Sequence, residues 1–356
     1  MQFLIEYGLF LAKTATLLGA IIIAVGFILS MSVRRRSNTQ EQVEVRRIND
    51  KYQQMAYTLE IAMLEKNDRK KKKKSDQKEK KYAAKKAKKI ARNERKRIFV
   101  LDFHGDIRGS EVALLREEIT TVLMVARESD EVLLRLESGG GLVHAYGLAA
   151  SQLARLREKN IPLTVSVDKV AASGGYLMAC VADRILAAPF AIIGSIGVVT
   201  QIPNFNRLLK KHDIDFEQVA AGEYKRTVTM FGENTEKGRD KLKAEVEEIH
   251  TLFKDFVKEK RPIVSLDEIA TGEHWLAKRA FELKLVDELK TSDDYLLSLR
   301  EESDIFEVKY SQKKRKFIDR ITSSFSSILG NYNLIDENYS MNDKVALLNS
   351  KTDVHL

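Results

Sequence analysis

The chain has 356 residues, 44% of them apolar, which is enough for one sizeable domain with extensions or for two modest domains. Its net charge of +9 is not evenly spread. Residues 69–97 hold 17 Lys or Arg against 3 acidic residues, a local +14, so the rest of the chain is mildly acidic, at about −5. A single cysteine, Cys180, excludes an internal disulfide framework and any multi-cysteine metal site, and it leaves the redox compartment open.

Residues 14–33, Thr14 to Val33, contain no formal charge and end at Arg34-Arg35-Arg36. Twenty residues at about 1.5 Å per residue span the roughly 30 Å of bilayer hydrocarbon. The stretch exceeds a signal-peptide core of about 7–15 residues, so a retained single-pass membrane anchor is expected over residues 1–33. Positive charge on its downstream side places that side in the cytoplasm. Residues 34–97 read as a basic helical or disordered connector. Only Tyr82 interrupts its lysine run with an aromatic ring, so anionic lipid or plain solvation is favoured over nucleic acid as its partner.

From Ile98 the pattern changes. Ile98 to Phe103 predicts a strand, Ser110 to Glu128 a helix, Glu131 to Glu137 a strand and Leu142 to Lys159 a helix. A further strand, Ile161 to Val167, leads to a small-residue helix, Gly174 to Ala182. Arg184 to Ala188 and Ile193 to Thr200 follow as strands, with Pro189, Gly194 and Gly197 arguing against a second membrane span over residues 185–201. Next come a helix from Phe205 to His212, a strand from Asp213 to Ala220 and a long helix from Thr235 to Lys260. Thr271 to Glu288, a helix beyond Asp293 and a strand from Phe306 to Tyr310 close a domain over residues 98–311. Residues 312–356 form an extension. Alternating strands and helices predict a parallel α/β sheet.

Three pieces carry chemistry. Ser173, in Ala172-Ser173-Gly174-Gly175-Tyr176, falls between a strand and a helix, where a sharp turn can present a hydroxyl beside backbone N–H groups. Ser138-Gly139-Gly140-Gly141 closes another strand with a glycine turn that lets backbone amides approach a substrate. Lys225 follows a strand with apolar alternation, between Glu223 and Arg226. To act as a base it must be neutral, about 2–3 pKa units below the ordinary lysine value. His104 and His144 stand in no triad order with Ser173, and no histidine pair has zinc-binding spacing. Cys180 reads as a buried small side chain.

These motifs, with Ile193-Gly194-Ser195-Ile196-Gly197-Val198-Val199, Tyr224-Lys225 and Leu285-Val286-Asp287-Glu288, occur in an order that resembles the signal peptide peptidase A family of membrane-anchored serine–lysine proteases, and within it the SohB branch. The resemblance covers about residues 98–289. It implies a Clp protease/crotonase-like α/β spiral, an oligomer, no cofactor and no metal. It further implies a serine endopeptidase that cleaves remnant signal peptides or other membrane-associated peptides and proteins after small or apolar residues. By position it makes Ser173 the nucleophile, Lys225 the general base and Ser195 the residue that holds the lysine amine. Gly140 and Gly174 become oxyanion donors.

The family often works on the far side of the membrane, against the charge rule. Glu137-Ser138-Gly139-Gly140-Gly141 departs from the family's usual Asn-Ser-Pro-Gly-Gly, and Arg226-Thr227 replaces small residues. Two rival readings are a crotonase-like acyl-CoA hydratase or isomerase, and a non-catalytic membrane scaffold docked through residues 69–97. The first predicts turnover of an enoyl-CoA; the second predicts indifference to Ser173→Ala.

Overall fold

The computed structural model of the protein describes residues 7–20, 40–65, 67–69, 71–72 and 95–313. The chain divides into two compact units, one comprising Met1–Gln42 and Gln312–Leu356, the other Val43–Ser311. In the first unit, residues 7–20 form a helix, α1. Among the described residues no helix is long and apolar enough to cross a membrane. The expected anchor, residues 1–33, contains α1, while residues 1–6 and 21–33 lie outside the described residues, as do most of the basic tract and the expected extension.

The second unit is built on parallel strands. Its elements are β1 (Gln40–Arg47, whose first residues fall in the other unit), α2 (Ile48–Met63), β2 (Lys96–Gly105), α3 (Val112–Val125), β3 (Glu131–Ser138), α4 (Val143–Glu158) and β4 (Leu163–Val167). Then follow β5 (Val170–Ala172), α5 (Gly174–Ala179), β6 (Arg184–Ala187), β7 (Ile192–Gly194), α6 (Asn206–Lys211) and α7 (Glu236–Lys260). The last are α8 (Leu266–Ile269), β8 (His274–Leu276), α9 (Ala277–Glu282), β9 (Glu288–Leu289), α10 (Ser292–Leu299) and β10 (Ser303–Lys313).

The main run of the sheet has the order β1-β10-β2-β3-β4-β6-β9, and a side branch runs β3-β5-β7-β8. Strand β3 serves both: Val132 to Arg135 pair with β4, while Ser138 pairs with Ala171 of β5. Two successive strand pairs, β4/β5 and β6/β7, each give their first member to the main run and their second to the branch. From β10 to β9 along the main run, and from β3 to β7 along the branch, the pairings are parallel, and β7 with β8 is antiparallel. Parallel strands covered on both faces carry near-continuous apolar runs, and β3 and β4 do so, with Val132, Leu133, Leu134, Leu163 and Val165 fully buried.

Sequence pattern and structure part company at four places. Within the segment read as a helical or disordered connector, residues 40–47 form a strand, β1, and the helix α2 over 48–63 packs its start into the sheet body. Ile48 is buried against Ile98 and Val100, and Asn49 bonds to Arg300, Ser303 and Ile305. Lys96 and Arg97, read as the end of the basic tract, open β2, where Arg97 forks onto the buried Asp130. The expected strand Ile193 to Thr200 stops at Gly194, because Gly194 and Ser195 take φ of 110° and 53° and turn the chain out of extended geometry. The expected strand Asp213 to Ala220 is absent. Residues 213–220 are irregular and exposed, and they join no sheet among the described residues.

Candidate active site

Parallel register brings four strand ends to one edge. Gly105 pairs with Ser138, Ser138 with Ala171 and Ala172 with Gly194. The loops leaving those ends carry the glycine turn, Ser173 and Ser195. In open α/β sheets, ligands bind outside the carboxyl ends of parallel strands.

Ser173 follows β5 directly and sits at φ 52°, ψ −120°, a conformation that costs a non-glycine residue of order 1–3 kcal/mol. Surrounding bonds hold it there. Its N–H donates to the Gly194 carbonyl at 2.8 Å, and its own carbonyl accepts from Leu177 N–H at 3.0 Å. The residue is half-buried, and its hydroxyl has no hydrogen-bond partner among the described residues. The strained turn thus leaves a hydroxyl unengaged beside the Gly174 N–H.

The glycine turn lies against that residue. A Cβ on Gly140, which has φ 89°, would stand 2.7 Å from Gly174 N and 2.8 Å from Ser173 Cβ, so only glycine fits. The Gly140 N–H is engaged: it donates to Ser138 Oγ at 3.1 Å. The Gly141 and Gly174 N–H groups have no protein partner among the described residues. Leu142 N–H ties the turn to the Ile107 carbonyl at 2.9 Å. Beside the turn lies an open cleft of about 580 Å³ lined by Gly105, Asp106, Ile107, Arg108, Gly139 and Gly140. Asp106 is spent on local structure. Its carboxylate accepts the backbone N–H and hydroxyl of Ser110, which hold it below the usual carboxylate range.

Ser195 sits at the third strand end, half-buried. Its N–H donates to the Glu273 carbonyl at 2.6 Å, and the Trp275 ring fills the space where a Gly194 side chain would be, 2.8 Å from the Cβ position. Glu273 and Trp275 therefore shape this edge, although no local motif singles them out.

Lys225 is placed differently. It is exposed, in an irregular segment where its N–H donates to Gly222 O, and its amine forms no hydrogen bond or ion pair with Ser173, Ser195 or another described residue. The desolvation expected from a flanking strand is not supplied here, since that strand is missing. Neighbouring charges pair elsewhere: Glu223 with Lys237, whose amine also approaches the Tyr224 ring. Upstream and downstream the segment is pinned. Asn204 Nδ2 bonds the carbonyls of Thr229 and Gly232, and Phe231 packs on Phe205 and Phe216 with centroids 6.1 and 5.9 Å apart.

The remaining candidates do not partner Ser173. His104 is exposed, with Nδ1 3.5 Å from Glu137, and His144 is exposed on the first turn of α4. Cys180 is fully buried, and burial pushes its thiol up to about 12, where no reactive thiolate forms near neutrality.

Comparison with known proteins shows the family. Residues 2–153 match peptidase family S49 N-terminal, and residues 155–305 match peptidase family S49. A probable protease SohB of Haemophilus influenzae is 51% identical over 336 residues, covering 92% of this chain and 95% of its own length. Another, from Buchnera aphidicola subsp. Acyrthosiphon pisum, is 52% identical over 91% of this chain and 94% of its own. A solved membrane-bound stomatin-specific protease aligns at 14% identity over 66% of this chain and 99% of its own, with a TM-score of 0.36. Both S49 segments and the near full-length identity show that the chain belongs to peptidase family S49, in its SohB branch.

Proposed function

We propose that the protein is a membrane-anchored serine endopeptidase working through Ser173 and Lys225. Ser173 Oγ attacks the scissile carbonyl and Lys225 removes its proton. The proton passes to the leaving amine as the acyl-enzyme forms, and water then repeats the sequence to release the acid. Gly174 N–H supplies one oxyanion donor. The second comes from the glycine turn, either Gly141 as it stands or Gly140 after it exchanges Ser138. Ser195 orients the lysine amine. The observation that carries this reading is Ser173 at positive φ with Gly140 packed against its Cβ and Gly174 N, a cost without return unless the hydroxyl is used.

A neutral lysine needs a dry setting, and Lys225 is exposed in the single chain. Substrate or a second copy of this chain therefore has to cover it, which is why a homo-oligomer belongs to the proposal. The stepped strand pairs support a Clp/crotonase-like spiral as the scaffold. The uncharged stretch Thr14 to Val33 supports the anchor in the cytoplasmic membrane, with membrane-associated peptides, remnant signal peptides among them, as substrates.

Labelling with a membrane-impermeant fluorophosphonate in intact and opened cells tests both site and side. Labelling that Ser173→Ala abolishes and Lys225→Ala slows is the expected result. Equal labelling of wild type and Ser173→Ala would reject the nucleophile, and dependence on opening the cells would place the site inside.

A further inference from the structure

Behind the glycine turn runs a hydrogen-bond chain that the dyad chemistry does not use. Tyr146, on α4, is fully buried. Its hydroxyl donates to the Asp106 carbonyl at 2.8 Å. A phenol has one proton, so in the 2.6 Å contact between Tyr146 and Ser138 hydroxyls the serine donates and the tyrosine accepts. Ser138 Oγ in turn accepts the Gly140 N–H. The chain reads Gly140 to Ser138 to Tyr146 to Asp106, with each donor used once. Burial raises the pKa of the Tyr146 phenol, which keeps its proton in place for this role.

The Tyr146 ring has a second contact. A Cβ on Gly174 would stand 2.5 Å from Tyr146 Cγ, so the ring is the floor of the turn that follows Ser173. Gly105 shows the same tightness: a Cβ there would lie 2.4 Å from both Ser138 Oγ and Tyr146 Oη. One side chain therefore backs Gly174 directly and reaches the glycine turn through the Ser138 hydroxyl. The glycine turn has no restraint of its own at its start, because Gly139 is exposed with open space where a side chain would be.

We propose that Tyr146 is a positioning residue for the oxyanion site, its hydroxyl fixing the glycine turn through Ser138 so that the unengaged Gly141 amide is aimed at the oxyanion, while its ring sets the height of Gly174. The proposal rests on the reading of Ser173 as nucleophile. Misplacing an amide donor by about 1 Å costs up to about 100-fold in rate. Because the pair acts on transition-state charge and touches no substrate, the loss falls on kcat and spares KM.

The test compares Tyr146→Phe, Ser138→Ala and the double variant in the full-length chain, using a chromogenic peptide substrate and a fluorophosphonate. Each single variant is expected to lower kcat about 10–100-fold and to slow labelling in proportion, with KM within about twofold of wild type. The double variant should be no slower than the worse single, since both act in one chain. Wild-type kcat in both single variants, a loss confined to KM, or multiplying losses in the double would overturn it. Should Tyr146→Phe melt early, Ser138→Ala at an unchanged melting temperature carries the same decision. Ser173→Ala separates the two readings. If it stays active, the nucleophile reading fails and this one with it; if it is dead while Tyr146→Phe turns over normally, only the positioning role fails.

Discussion

The segments that would supply the two halves of the proposed dyad, residues 170–175 and 213–226, are built in opposite ways. Ser173 leaves a buried strand, is bonded at both its N–H and its carbonyl, and abuts a glycine that admits no side chain. Lys225 lies in an exposed irregular segment fixed mainly at its flanks, by Asn204 and by the Phe205, Phe216 and Phe231 rings. Backbone strain persists only where surroundings over-determine it, and the first segment meets that condition within one chain. For the second, the fold provides attachment but no desolvation. The difference teaches that nucleophile geometry and base activation have separate physical sources here, so they can be perturbed separately.

The sharpest way to break this contrast is Ser173→Ala, expected to lower peptide hydrolysis by about 10⁴-fold or more with no change in melting temperature. Lys225→Ala should follow with a loss of about 10²–10⁴-fold. Its melting temperature should also stay put, because an exposed side chain without a partner leaves little behind when removed. A wild-type rate in that variant would remove Lys225 from the mechanism. On stability, the two segments should separate again. Leu136→Ala, in the fully enclosed core under the site, should cost about 2–5 kcal/mol in urea unfolding. Phe231→Ala, whose ring is 42% exposed, should cost under about 1 kcal/mol yet lower turnover by freeing the Lys225 segment. Comparable costs for the two would contradict the division drawn above.

A smaller effect concerns the ordered half. Burial pushes the Glu118 carboxyl, which accepts the Tyr310 N–H, from 4.5 up to about 7. The native state therefore holds a proton that the unfolded chain has lost between those values. Stability must fall as pH rises through that window and level off above it. Glu118→Gln should flatten the fall, seen as urea midpoints that no longer differ between pH 5 and pH 8 on this account. Smallest of all, Gly139→Ala should stabilise by about 0.4–1 kcal/mol. Gly139 is absent from the positive-φ residues and has open space at its Cβ position, so the substitution only narrows the unfolded ensemble.

Much of the framework was readable from period and propensity. The apolar runs at Ile98 to Phe103 and Glu131 to Glu137 became β2 and β3, lengthened by two residues or fewer at either end. The strand-to-helix turn at Ser173 and the glycine turn stand where their flanking patterns put them. What escaped has common causes. Strand β5 has three residues, Val170 to Ala172, too few for any periodic signal. Helix α2 looked like connector because its buried residues, Ile48 and Asn49, both stand at its start, with Tyr52 packed beside them, too few for a periodic signal. The alternation in residues 213–220 suggested a strand, but alternation describes a face without providing an edge to pair with.

Local chemistry alone determined that a hydroxyl would be presented at position 173, that glycines would stand before it, and that strands and helices would alternate into a parallel sheet. Those outcomes depend on neighbours a few residues apart, through turn sterics and burial period. Tertiary structure decided the rest: that Gly105, Ser138, Ala172 and Gly194 end together, that the Gly140 N–H is taken by Ser138, that Tyr146 backs Gly174 and bonds Ser138, and that Lys225 is exposed in the single chain. Each of these is a meeting of residues distant in the chain, set by strand register and by which surfaces find a partner, and no local pattern encodes either.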